Sequence, residues 1–453
     1  MDKYQRVKKF LINIGAISFL ILGLYELILI NNTDGSPVRQ LGKILLAFGS
    51  VWILAGLYLW WKKPVKLLNL VLMFTTFNFF YLLLELYVYL NVNYVFKNQY
   101  YLIDKPFTDY HELRGYYYTG PVHMATIIKG ELEFDKKFKP NNFGFSSHHD
   151  YSYKKQDSSM YRIMVLGDSF SDACFLDQPW ADKLQEILKQ KGKNIEVYNF
   201  SYSGNGLINW YQILNKEILP KYEFDCIIFA NFADDLSRKF NIQYLKEKYM
   251  LGSFDTIPSG VADFKANYEP RMKDLSSIKG YRYEMIADAQ AFDKRKFELL
   301  AQSKLVDTDG HLKKPEPYIL NFLINDIIGT WRFRNFTDPV ITYDDVVNKF
   351  GEDRIKLLAS MVDTCKQLNK RVVLASIPFK FTALTHKKNA NNQHQQECRL
   401  LADKMQIEYF DGYDIFLDIP EKSRKDYWLI HDGHWNSKGS DLFGEKISQL
   451  FLK

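Results

Sequence analysis

The sequence predicts an α/β protein: a doubly wound, five-stranded parallel sheet preceded by three transmembrane helices. Two observations carry this. The first 92 of 453 residues hold three long apolar runs. From about residue 160 the pattern changes to short β-rich runs alternating with helical stretches, as in a parallel sheet covered on both faces. A composition of 47% hydrophobic and 25% charged residues with only 14 Pro excludes a mostly disordered chain or a fibre. The mean hydropathy of -0.26 averages over two unlike parts.

Phe10 to Ile30 is 21 residues long with one charge, Glu26. At about 1.5 Å per residue it can cross a ~30 Å hydrocarbon core. Ile44 to Trp61 is a second candidate span, and Leu67 to Leu90, with Glu85, a third. The length of the first run and the lack of a small-residue cleavage site favour an uncleaved anchor over a signal peptide. Lys3, Arg6, Lys8 and Lys9 precede the first run, and Lys62, Lys63 and Lys66 separate the second from the third. The loop Asn31 to Lys43 has only Arg39 and Lys43 against Asp34. Cations in short flanking segments stay cytoplasmic, so the N-terminus is expected inside and everything after about residue 92 outside. Glu26 and Glu85 lie toward the outer ends of their runs, where a carboxylate reaches the interface.

Strands are expected at Arg162 to Leu166, Ile195 to Phe200, Asp225 to Ala230, Arg371 to Ile377 and Ile407 to Phe410. Helices fit at Trp180 to Lys191, Leu207 to Leu219, Arg354 to Leu368, Asn391 to Met405 and Ser437 to Leu452. The expected organisation is an anchor over 1–92, a lead-in over 93–160 and the α/β domain over 161–453. An insertion at about 237–348 is long enough for a subdomain and includes the apolar helical stretches Ala289 to Leu300 and Tyr318 to Trp331.

The net charge of +6 is spread along the chain without a run of five like charges, which argues against a nucleic-acid binder. Cys174, Cys226, Cys365 and Cys398 show no CxxC or metal-ligand spacing, so neither a disulfide framework nor a zinc site is read from them, and an isolated bridge stays open. His148 and His149 sit in a polar loop with no third ligand, and no metal or cofactor is expected.

In open α/β sheets the active groups gather at the carboxyl ends of strands. Gly167-Asp168-Ser169-Phe170 follows the first strand, and Asp432-Gly433-His434-Trp435-Asn436 precedes the last helix. A serine hydroxyl needs a base to take its proton and N–H groups to stabilise the oxyanion. His434 can be that base, and Asp432 can fix its tautomer and stabilise the imidazolium. His431 competes with His434, but only His434 is followed by Trp-Asn in the expected register.

Together these blocks resemble the GDSL, or SGNH, serine hydrolase family, from about Asn141 to Lys453 outside the insertion. Asn142-Phe143-Gly144-Phe145 is similar to the family's lead-in, and Leu166 to Phe170 matches its first block. Asn199 to Gly204 resembles the second block, which implies that the Gly204 N–H joins that of Ser169 in the oxyanion hole. Asp432 to Asn436 with Gly439 resembles the last block, in the Asp-x-His form also seen in alginate-type O-acetyltransferases. The third block departs: Ala233-Asp234-Asp235-Leu236 puts Asp234 where an Asn donor is usual. An ionised carboxylate would repel the oxyanion. Asp234 must then be neutral, or Asn231 or Asn205 donates, or two backbone donors suffice.

The resemblance implies a flavodoxin-like fold and a serine esterase; with the membrane anchor, the outward orientation and the Asp-x-His form, the expected protein is a membrane-anchored, extracytoplasmic esterase acting on O-acyl esters of envelope carbohydrate or lipid. Two alternatives stand beside it. One is an O-acyltransferase modifying a surface polysaccharide with an acyl group delivered by a membrane partner. The other is a catalytically weak scaffold or binding module of an envelope complex, suggested by Asp234, the insertion and the number of spans.

Overall fold

The computed structural model describes residues 3–30, 38–62, 67–91, 99–128, 130–245, 248–278, 280–301, 338–386 and 392–452. The chain divides into two compact units, the first containing 1–97 and the second 98–301 with 332–453.

In the first unit the apolar runs form α1 (Lys3–Ile30), α2 (Val38–Lys62) and α3 (Leu68–Asn91). α2 starts inside the segment expected as a loop. Ile12, Ala16, Phe19, Leu59 and Val71 are buried among the helices. Phe10, Ile17, Leu54, Phe77 and Phe80 point outward and are exposed, so the outer surface is as apolar as the interior. The expected count of three spans is corrected to one candidate. Among the described residues only Gln5–Leu24, 20 residues of mean hydropathy 1.8, is long and apolar enough to cross a membrane. Among the described residues Leu68–Tyr81 is a shorter apolar stretch, and none of that length and apolarity is found in α2. Lys63, Lys66 and the expected helical stretch Tyr318 to Trp331 lie outside the described residues, as do the side chains of Glu26 and Glu85.

The second unit opens with β1 (Gln99–Ile103), β2 (Thr108–His111), β3 (Gly115–Tyr118), β4 (Val122–Ile128) and β5 (Glu131–Phe138). There follow β6 (Tyr161–Leu166), β7 (Ile195–Asn199) and β8 (Cys226–Asn231), then β9 (Phe240–Leu245), β10 (Tyr249–Phe254), β11 (Lys273–Asp274) and β12 (Tyr281–Met285), and last β13 (Arg371–Ser376) and β14 (Glu408–Asp411). The central sheet runs β14-β13-β8-β6-β7 with every pairing parallel. Numbered along the chain this is the order 2-1-3-4-5, the doubly wound arrangement with its switch point between the first and third strands.

The inner strands of the sheet are buried on both faces because they are apolar at most positions. Met164, Leu166, Ile227 and Phe229 face one core with Trp210 and Met361, while Ile163, Val165, Ile228 and Ala230 face the other with Trp180 and Phe443. The strand period of two thus splits each run between two helical layers. Leu207–Ile213, Glu352–Gln367 and Gln393–Met405 cover the first face, and Trp180–Gln190 and Ser437–Ser448 the second.

The lead-in and the insertion share structure. β12, from the insertion, pairs in parallel with β1, β1 pairs antiparallel with β4, and β4 antiparallel with β5. β9, β10 and β11 make a separate antiparallel sheet. The lead-in is fixed to the central domain by Arg114, whose Nε donates to Glu217 Oε2 at 2.9 Å and whose Nη1 donates to the Phe143 carbonyl at 2.6 Å.

Candidate active site

Ser169 follows β6 at the switch point, as the first residue of the short helix Ser169–Asp172. Asp168 caps that turn, its Oδ1 accepting from the Phe170 N–H at 3.0 Å. The Ser169 hydroxyl lies 2.6 Å from His434 Nε2, and His434 Nδ1 bonds Asp432 Oδ1. The same carboxylate oxygen accepts the His434 backbone N–H at 2.9 Å, closing a tight turn over Asp432-Gly433-His434. A serine and a histidine 265 positions apart in the chain therefore join the aspartate in one hydrogen-bonded line.

The imidazole ring is walled by aromatics, with Phe170 at 4.5 Å and Phe175 at 5.3 Å between ring centres. Asn436 ends the segment by capping Ser437–Ser448, its Oδ1 accepting from the Gly439 N–H at 3.1 Å. Gly439 must lack a side chain, since a Cβ would meet the Tyr427 carbonyl oxygen at 2.3 Å. Burial disfavours the charged forms of both His434 and Asp432, but their mutual hydrogen bond and attraction prevail. They raise His434 above its ordinary value and hold Asp432 at about 2.

Two residues that sequence reasoning missed hold this loop. Glu133, on β5, accepts the backbone N–H groups of Ile430 at 2.9 Å, Asp432 at 2.6 Å and His431. Lys380 donates to the carbonyls of Ile430 and Asp432, both at 2.9 Å, and of Leu429. One side chain thus satisfies the donors of the turn and the other its acceptors. His431 faces elsewhere, its Nε2 2.8 Å from Glu131 Oε2.

Gly204 adopts φ +78°, a left-handed conformation that favours glycine, and lines the same cavity as Ser169 and His434. The carbonyl of the preceding Ser203 accepts three hydrogen bonds, from Tyr116 Oη at 3.0 Å, Asn241 Nδ2 at 3.1 Å and Gln243 Nε2 at 3.0 Å. Ser203 is also anchored by the buried Asp172, which accepts its N–H at 2.9 Å and its hydroxyl at 2.7 Å. A trans peptide is planar, so a carbonyl held on one side turns the following N–H to the other. Among the described residues neither the Ser169 nor the Gly204 N–H has a hydrogen-bond partner.

Asp234, expected as a neutral third donor, is placed otherwise. Its side chain is 61% exposed, and its Oδ1 pairs with Arg238 Nη2 at 2.9 Å. It does not line the cavity. The Asn231 amide is committed to His394 at 3.1 Å, and that of Asn205 to the Arg114 carbonyl at 3.3 Å. The third block serves a different end. Arg238 gathers Asp234, Asp235 at 2.8 Å and Asp168 at 3.1 Å, and so fixes the residue that caps the serine turn. A lone arginine after a run of acids gives no sequence signal for this role. All four cysteines are free, with Cys174 in the cavity wall. His148 is mostly exposed, and its backbone N–H bonds Asp182 at 2.7 Å.

No protein-family model and no curated protein matches the chain. Similar solved structures include a lipase/acylhydrolase from Enterococcus faecalis, at 12% identity over 64% of this chain and 95% of that one, TM-score 0.32. An esterase, EstA, from Pseudoalteromonas sp. is 13% identical over 64% and 96%, TM-score 0.31. An acetyl xylan esterase, AlAXEase, is 15% identical over 64% and 98%, TM-score 0.30. Likeness at these scores carries no weight for function, which has to be read from the site's own geometry.

That geometry sets a pH dependence. Proton transfer to His434 needs the neutral imidazole, so any reaction begun by the Ser169 hydroxyl should slow as pH drops through a value above 6.5, the unshifted histidine value. Asp432→Asn removes the interaction that raises it and should move that acid limb of kcat/KM to lower pH while cutting kcat. An unmoved limb would assign the titration elsewhere. It also sets the worth of the Ser203 carbonyl's donors. Removing them (Tyr116→Phe, Asn241→Leu, Gln243→Leu together) should lower kcat by about 10- to 100-fold with a small change in KM, since one oxyanion donor is worth ~10² to 10³. Unchanged kcat in the folded triple variant would show that this peptide needs no such support.

Proposed function

We propose that the protein is a membrane-anchored, extracytoplasmic serine esterase of the SGNH type that cleaves O-acyl esters of envelope carbohydrate or lipid. The observation that carries this is the continuous Ser169–His434–Asp432 line beside two unpartnered N–H groups. His434 Nε2 takes the Ser169 proton as Oγ attacks the acyl carbon. The carbonyl oxygen becomes an oxyanion facing the N–H groups of Ser169 and Gly204. Collapse expels the alcohol, which leaves with the proton from the imidazolium. Water then repeats the sequence on the acyl-serine, releasing the acid and freeing Ser169. Asp432 stays ionised throughout and holds the imidazole in place.

The location rests on the N-terminal segment. Lys3, Arg6, Lys8 and Lys9 precede a stretch long enough to cross once, and the exposed apolar faces of α1 and α3 suit lipid surroundings. A single crossing puts the second unit outside just as three would.

A fluorophosphonate should label Ser169, and Ser169→Ala or His434→Ala should reduce ester cleavage to near background, by at least ~10³-fold. Equal cleavage of a substrate by wild type and Ser169→Ala would overturn the reading. For the location, protease added to intact cells should digest the chain after residue 98 while sparing a tag ahead of Lys3. Protection of the second unit would refute the outward orientation.

A further inference from the structure

Resting on that esterase reading, we propose that the cavity at Ser169 is a chamber for a medium-length unbranched acyl chain of about eight carbons, in preference to acetyl. The cavity holds about 310 Å³ and opens on Ser169, Gly204 and His434. Beyond them its side-chain wall includes Ile103, Phe107, Met124 and Phe175, while Leu102 and Ala125 turn their side chains to the other face of the sheet. Apart from Phe175, this wall comes from the lead-in: Ile103 on β1, Met124 on β4, and Phe107 ahead of β2. Phe134 on β5 completes that side. The chamber is therefore an addition to the five-stranded core, built by the sheet that the lead-in and insertion share.

A row of tyrosines from β1, β12 and β10, with Thr126, Cys174 and Leu429, makes another part of the wall. Tyr101 stacks on Tyr283 at 4.6 Å and Tyr283 on Tyr249 at 4.5 Å, nearly parallel in both cases. The Tyr249 hydroxyl donates to Gln243 Oε1 at 2.5 Å, and the Tyr101 hydroxyl oxygen accepts from Gln99. The row presents mainly ring faces to the cavity, with the Thr126 hydroxyl beside it. A sugar there would leave most of its hydroxyls without partners, each costing ~1–3 kcal/mol when buried. An alkyl chain has no such demand. With about 30 Å³ per water-sized group, the volume admits roughly ten methylene-sized groups, of which acetyl fills two or three. The ester alcohol, carbohydrate or lipid, then lies outside the chamber.

The test uses the full chain in detergent and p-nitrophenyl phosphonates carrying methyl or octyl on phosphorus, with Ser169 modification followed by mass spectrometry. A fully buried methylene is worth roughly a factor of four, so octyl should react at least tenfold faster than methyl. Filling the chamber with Thr126→Phe, on the same face of β4 as Met124, should lower the octyl-to-methyl ratio at least tenfold. Thr126→Leu, expected to lower it about threefold, serves if the larger side chain prevents folding. Faster or equal reaction of the methyl compound at Ser169 would overturn the chamber and leave the esterase reading standing. No reaction at Ser169 with either compound would overturn both. Faster cleavage of octyl acetate than of methyl octanoate would place the alcohol in the cavity and refute the proposal.

Discussion

The Ser203–Gly204 peptide is the constraint on which the rest of the site depends. Its carbonyl accepts from Tyr116, Asn241 and Gln243, and Asp172 holds the residue from behind. With one face saturated, the peptide has a single orientation, and the Gly204 N–H is set before any substrate arrives. Preorganisation of this kind is what makes a donor effective, because no reorganisation is needed as charge develops. The holders come from three places: Tyr116 from β3 in the lead-in, Asn241 and Gln243 from β9 in the insertion, and Asp172 from the turn that carries Ser169.

The base is held by the same division of labour. The Asp432 turn is gripped by Glu133 from β5 and Lys380 from the first turn of the short helix Lys380–Thr385 that follows β13. Loops at the carboxyl ends of strands are mobile unless tied down. Here the added sheet supplies one tie and the core the other. The segment after β8 serves as support, with Arg238 drawing Asp234, Asp235 and Asp168 together.

What could be read from the sequence was set by how locally it is encoded. All five core strands appear within two residues of their expected bounds, because a strand buried on both faces must be a short unbroken apolar run flanked by turns. Ser169, His434 and Asp432 were legible because each sits in a short block whose neighbours have fixed tasks, such as Asn436 capping the last helix. Glu133, Lys380 and Arg238 were not, since a charged residue acquires its role only through a partner far away in the chain or through a fold-dependent turn. The β1–β12 pairing was hidden for the same reason: strands that set Gln99 against Tyr281 leave no periodic trace in either segment. Asp234 was misplaced because alignment to a pattern assigned it by position, whereas Arg238, four residues on, draws its carboxylate toward solvent.

The central claim is that an oxyanion formed at Ser169 is received by two backbone N–H groups, one of them preset by the Ser203 carbonyl clamp. A crystal structure of the protein inactivated by an alkyl phosphonate tests it most directly, because the phosphoryl oxygen occupies the oxyanion position. Phosphorus is expected on Ser169 Oγ, with that oxygen about 2.7 to 3.1 Å from both the Ser169 and Gly204 nitrogens. An oxygen turned away from Gly204 and bonded to a side-chain donor instead would contradict the claim.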